Sequence, residues 1–199
     1  MAGFLGVGLS LTRNLGVMIV FPMLIIAINQ VGLRSLIKFN SPLLPSIVTG
    51  ILLVPLGLFM YMFFLYHYTG DAFAFKNIQI AWGRGVHNPL DVLMDGIIHG
   101  GVYEKYCAFV VVISLFLAFY LMFKKYFSEG LIVFLGTIIP LSTALDSMPR
   151  YTLTLFPIYM SIGRMTQNYL LLRLFLLLLF VILSCFYILS WVTGKGYMI

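Results

Sequence analysis

The stretch LLPSIVTGILLVPLGLFMYMFFLY, from Leu43 to Tyr66, contains no charged side chain and carries proline only at Pro45 and Pro55. Its length matches the roughly 20 apolar residues that an α-helix needs to cross the hydrocarbon core of a bilayer. Inside such a core each backbone N–H and C=O has to find a partner within the segment. A helix meets that demand, and the chain is expected to be all-α.

The sequence on either side is built the same way. Of 199 residues, 62% are hydrophobic and only 9% are charged, and mean hydropathy is +1.06, whereas soluble domains carry about a quarter of their residues as charges. Residues 106 to 123 and 168 to 192, the latter with the run Leu174 to Leu179, read as further full spans. Residues 3 to 12 and 15 to 29 are shorter apolar pieces divided by Thr12-Arg13-Asn14, together forming a span region near 3 to 29. Residues 131 to 145 and 148 to 163 are short and interrupted by Pro140 and Pro157. Helices broken in this way face protein or a water-filled cavity, where freed backbone groups find partners. The expectation is one polytopic membrane domain over residues 1 to 199, a bundle of about six spanning or half-spanning helices, with a pocket near the broken pair. Cys107 and Cys185 lie in apolar runs and suggest neither a disulfide framework nor a metal spacing. No basic region precedes the first apolar run, so a cleaved signal peptide is not expected.

Charge placement gives an orientation. The connections 30 to 42 (Arg34, Lys38), 124 to 129 (Lys124, Lys125) and 164 to 167 (Arg164) are short and basic, which assigns them to the cytoplasm by the positive-inside rule. Alternation then assigns Arg13, the loop 67 to 105, the turn Asp146 to Arg150 and the C-terminal tail to the external or lumenal face. The loop mixes Asp71, Asp91, Asp95 and Glu104 with Lys76, Arg84 and Lys105. A loop of that length inside a compact protein is more often functional than idle.

The polar motifs gather on that face. Thr69 or Asp71 can cap a helix in which Phe75, Ile78 and Trp82 recur at helical spacing while Lys76, Asn77 and Arg84 point elsewhere. Such a helix lies at a membrane surface, with Trp82 at the headgroups and the cations snorkelling. The alternative makes the same helix a lid over a lipid-linked substrate, with Lys76 and Arg84 near its phosphate. In Ser147-Met148-Pro149-Arg150-Tyr151, Ser147 suits an N-cap and Pro149 a first turn, which puts Arg150 at the positive end of a helix. An anion should compensate it, either Asp146 locally or a phosphate held jointly by guanidinium and helix N-terminus. Arg13 is a topology anchor at a span boundary, or a third cation for the same anion. Asn88-Pro89 opens a helix on which Asp91, Asp95 and His99 recur every four residues. That stripe is a weak metal or proton-transfer signature, and the wet side of an amphipathic helix accounts for it, so no metal is expected. His67 and His87 have no partner visible in sequence. No nucleophile triad, phosphate-binding glycine loop or basic nucleic-acid patch is present, which removes the soluble enzyme classes and nucleic-acid partners.

In order and spacing, Thr12-Arg13-Asn14-Leu15-Gly16, then Thr69-Gly70-Asp71-Ala72-Phe73-Ala74-Phe75 with Gln79 and Trp82-Gly83-Arg84, then Met148-Pro149-Arg150-Tyr151 with Phe156-Pro157, form a recognisable series. From about Gly3 to about Gly163 the series resembles the C-terminal half of PIG-V-type mannosyltransferases, multi-spanning enzymes of the C-type glycosyltransferase fold. The resemblance implies transfer of mannose or a similar sugar from a polyprenyl-phosphate donor to an acceptor on the external or lumenal face, with no cofactor beyond that donor. It implies a carboxylate as base on the acceptor hydroxyl and basic residues on the donor phosphate. Carried onto this sequence, Asp71 is the carboxylate, and Arg13, Lys76, Arg84 and Arg150 with Tyr151 are the phosphate residues. Family members are longer, and their catalytic acid usually lies in a first external loop with no counterpart here. Asn14 and Ala72 stand where the family commonly has proline. The chain is therefore expected to be half of such an enzyme, completed by a second polypeptide, or else a non-catalytic membrane subunit that binds a lipid phosphate and supports a partner.

Overall fold

A computed structural model describes residues 1–38, 41–81 and 84–193. Trp82, Gly83 and the C-terminal tail beyond Thr193 lie outside the described residues, and with them the expected headgroup anchor at Trp82. The chain is 81% helix with no strand among the described residues. Among the described residues, three helical stretches are long and apolar enough to cross a membrane: Asn14–Val31, Leu44–Thr69 and Val102–Phe123.

The first unit is built on glycine. Helix α1 (Ala2–Thr12) ends at Arg13, whose extended backbone (φ −142°, ψ 122°) breaks the apolar run near 3 to 29 into two pieces. A 3₁₀ segment (Asn14–Ile19) then turns the chain back beside α1 and leads into α2 (Val20–Val31) and the short α3 (Leu33–Ile37). The reversal depends on Gly16, where an added Cβ would lie 2.5 Å from the Leu9 carbonyl oxygen. Helix α4 (Leu44–Thr69) runs parallel to α1, with Gly3 on Gly50, Gly6 on Val54, and Gly57 on Val7 and Ser10. A Cβ at Gly57 would come within 2.4 Å of the Val7 carbonyl oxygen. In lipid, apolar side chains gain little by leaving their surroundings, so helices associate where small residues let backbones approach closely.

From α4 the chain passes through α5 (Ala74–Ala81), which touches α4 through the Tyr61 and Phe75 rings, 5.9 Å apart. The second unit then follows: α6 (Pro89–Ile98), α7 (Val102–Phe123), α8 (Phe127–Leu141), α9 (Met148–Thr152) and α10 (Phe156–Thr166). Its core is made of larger side chains, with Leu93, Cys107, Val111, Leu141, Leu145 and Met148 buried together, and Ala118, Leu121 and Val133 packed with Leu155 and Ile158. Packing of α2 on α8 joins the two units. Helix α11 (Leu170–Val192) lies against α10 through Tyr159 and Phe180, and much of its apolar surface faces outward.

Two expected helices differ in extent. The helix expected over 131 to 145 runs instead over Phe127–Leu141. It starts directly after a turn at Lys125 in the left-handed region (φ 67°). It stops one residue past Pro140, where the Ser142 and Thr143 hydroxyls take up the Ile139 and Pro140 carbonyls. The helix expected over 148 to 163 is divided into α9 and α10. In a continuous helix the Leu153 carbonyl would accept from residue 157, which is proline and has no N–H. The Tyr159 hydroxyl donates to that carbonyl instead, at 3.0 Å. The segment from Ser147 to Leu155 is thereby free to leave the bundle axis and present hydroxyl groups at one end. At the other end, the Arg164 guanidinium lies 3.8 Å from the centroid of the Tyr126 ring, beside Lys124 and Lys125.

Candidate functional site

The hydroxyls between α8 and α10 collect the arginines. Ser147 stands at the N-cap position of α9 but its side chain makes no capping bond. Its oxygen instead accepts from Arg84 at 2.8 Å and from Arg150 at 3.4 Å. Arg84 also donates to the Gln79 side chain at 3.4 Å, and Arg150 lies 5.9 Å from the centroid of the Tyr151 ring. Across the gap between the two helical units, Arg13 donates to the Thr154 hydroxyl at 3.0 Å. Thr154 in turn donates to the Tyr151 carbonyl at 2.8 Å. Three guanidinium groups from positions far apart in sequence thus meet one segment, 147 to 154, a shelf at one end of the bundle.

Electrostatically the shelf is open-ended. Among the described residues none of Arg13, Arg84 and Arg150 has a carboxylate within ion-pair distance. Two terminal nitrogens at 2.8 and 3.4 Å from one oxygen are no more than about 6 Å apart. Two unit charges at that distance repel by about 0.7 kcal/mol in water and about 3 kcal/mol at the effective dielectric of a protein surface. Arg84 is half-buried while Arg150 is exposed, so the value lies between these limits. An anion bridging the two would convert that repulsion into attraction.

The loop before α6 is fastened to the same segment. The His87 amide donates to the Ser142 carbonyl at 2.8 Å, and the Tyr103 hydroxyl donates to the Asp146 carbonyl at 2.8 Å. Beside the shelf lies an open groove of about 710 Å³ whose polar lining is His87, Asp91, Asp95, His99, Glu104 and Asp146. Asn88 caps α6 through a bond to the Leu90 amide, and Asp91 occupies its first turn. Asp95 and His99 pair with each other at 2.9 Å on the exposed side of that helix. No group of three or more His, Cys, Asp or Glu among the described residues is arranged to hold a metal ion.

The residues expected at the site therefore divide. Arg13, Arg84, Arg150 and Tyr151 come together on the shelf. Asp71 does not join them: its Oδ1 accepts from the Phe73 amide at 2.8 Å and its Oδ2 from the Asn77 side chain at 2.7 Å, which starts α5. Lys76 is exposed and its side chain makes no hydrogen bond or ion pair among the described residues. Asp146 makes no ion pair with Arg150 and is one of the residues that line the groove. Ser147 and Thr154 are acceptors that sequence reasoning did not assign. Ser147 was legible as a cap, but its diversion to Arg84 depends on a loop fold that no local pattern encodes. Compared with family models, curated proteins and solved structures, the chain matches none.

Proposed function

We propose that this chain is a membrane-embedded sugar transferase, or the half of one that holds the donor, with the phosphate of a polyprenyl-phosphate-linked sugar seated on the shelf. The supporting observation is that Arg84 and Arg150 share one serine hydroxyl with no carboxylate within ion-pair distance among the described residues. A phosphate oxygen is a stronger acceptor than a hydroxyl, and guanidinium forks match phosphate geometry. Arg13, from the other unit, would close the site from the opposite side. Transfer, as against binding alone, rests on the order of the three motifs and their likeness to PIG-V-type enzymes. With Asp71 engaged at the start of α5, the proton of the acceptor hydroxyl falls to a carboxylate of the second polypeptide. The loop 67 to 105 and the shelf would lie on the external or lumenal side of a multi-pass protein.

The test is sugar transfer by the purified chain from a polyprenyl-phosphate-mannose donor, alone and with added membrane proteins. Loss of transfer and of donor binding in Arg84→Gln and Arg150→Gln supports the reading. Unchanged transfer in both variants overturns it. A second reading, a non-catalytic subunit that binds a lipid phosphate, is favoured by the capping role of Asp71. Donor binding without transfer under every condition would select it.

A further inference from the structure

We infer that the Arg84–Arg150 pair selects phosphate charge: it holds a lipid phosphate monoester in its dianionic form more tightly than a phosphodiester of the same lipid. The released lipid phosphate is then a competitive product inhibitor. This rests on the proposed reading of the shelf as a lipid-phosphate site.

Both guanidinium groups touch one oxygen, so a single tetrahedral phosphate in place of that contact can face both at once. A guanidinium has five N–H donors; Arg84 has two hydrogen bonds and Arg150 one among the described residues. Donors therefore remain for more than one phosphate oxygen. A diester carries one negative charge and leaves the pair with a net positive charge. A monoester gains its second charge near pH 6 and neutralises the pair.

The transfer step moves between these two states. The bond from the anomeric carbon to the phosphate oxygen breaks and its electron pair stays on that oxygen. The acceptor hydroxyl oxygen bonds to the anomeric carbon, and its proton leaves to a base. The phosphate goes from diester monoanion to monoester dianion, so the pair favours the charge that develops as the bond breaks. The same preference retards release of the product.

The charged or titratable groups around the pair are His87 on the loop before α6, Tyr103 and Glu104 on α7, and Asp146, Tyr151 and Arg13. A change of charge on any of these shifts both ligands in the same direction, so the diester serves as the reference for it. The experiment measures binding of farnesyl phosphate and of farnesyl methyl phosphate to the full chain in detergent, by calorimetry, at about pH 5 and about pH 7.5, with farnesol as the neutral reference. The expected result is a monoester preference of about tenfold or more at the higher pH that falls several-fold at the lower, and that shrinks in Arg84→Gln or Arg150→Gln. Equal affinity of the two phosphates at both pH values overturns charge selection and leaves the phosphate site standing. Binding of both no tighter than farnesol overturns the phosphate site as well. The wild-type comparison alone decides between these outcomes, even if a variant fails to fold.

Discussion

The Asp146–Ser147 peptide bond divides two surfaces of opposite character. On one side is a groove lined by four carboxylates and two histidines; on the other is a shelf where three arginines rest on serine and threonine hydroxyls. A local ion pair between Asp146 and Arg150 was open to the chain by sequence. The fold does not use it. A structure that served only stability would relieve the repulsion between Arg84 and Arg150 with the nearest acid. Keeping the charges apart, at neighbouring positions of one turn, leaves each surface able to bind a ligand of opposite sign.

That contrast can be broken at several points. The largest effect is expected from Gly57→Leu, which drives a side chain into the Val7 backbone and separates α1 from α4, so that Arg13 no longer reaches Thr154. A loss of about 3 kcal/mol or more is expected, read as a lower unfolding midpoint in detergent. An unchanged midpoint would mean that the two helices do not pack as described. Next, Arg84→Gln combined with Arg150→Gln should weaken farnesyl phosphate binding about 100-fold, or about 2.8 kcal/mol. A loss of less than threefold would show that the shelf's cations do not act on phosphate.

Smaller effects sharpen the comparison. Asp71→Ala removes an N-terminal capping acceptor and should cost about 1 kcal/mol, confined to faster hydrogen exchange over residues 73 to 81, with phosphate binding unchanged. If binding falls as far as with the arginine variants, Asp71 belongs to the site. Asp95→Asn should change stability by less than about 0.5 kcal/mol, since its pair with His99 is exposed. It should tighten phosphate binding by no more than about threefold, because its carboxylate is exposed and solvent screens it. A tenfold gain would mean that groove and shelf form one electrostatic unit.

Much of this molecule could be read from residue order. Full-length apolar runs predict α4, α7 and α11 closely because length and hydropathy decide a long helix by themselves. Asn88-Pro89 marks the start of α6 for an equally local reason, a side chain placed to cap a helix whose first N–H is absent. The break after Arg13 and the division of α9 from α10 were visible only as an arginine and a proline in apolar surroundings. Their outcome depends on tertiary partners, Gly16 against Leu9 in the first case and Tyr159 against Leu153 in the second. The site shows the same limit. The arginines stand out because charges are rare in this chain, whereas Ser147 and Thr154 resemble any other hydroxyl residue until folding brings guanidinium groups to them. Asp71 illustrates the converse, since a capping acid and a catalytic acid are the same letter in the sequence.

The parallel register of α1 on α4 has an ionic consequence. Gly3 against Gly50 and Ser10 against Gly57 share one offset, which sets Arg13 level with Met60, about 14 Å short of the end of α4 at Thr69 given the rise of an α-helix. Arg13 is exposed there, so salt reaches an anion bound to it, and electrolyte of physiological strength screens attraction over about 8 Å. Its affinity should therefore fall as salt is added, in the way of a charge adsorbed at a surface and unlike one sealed inside the bundle.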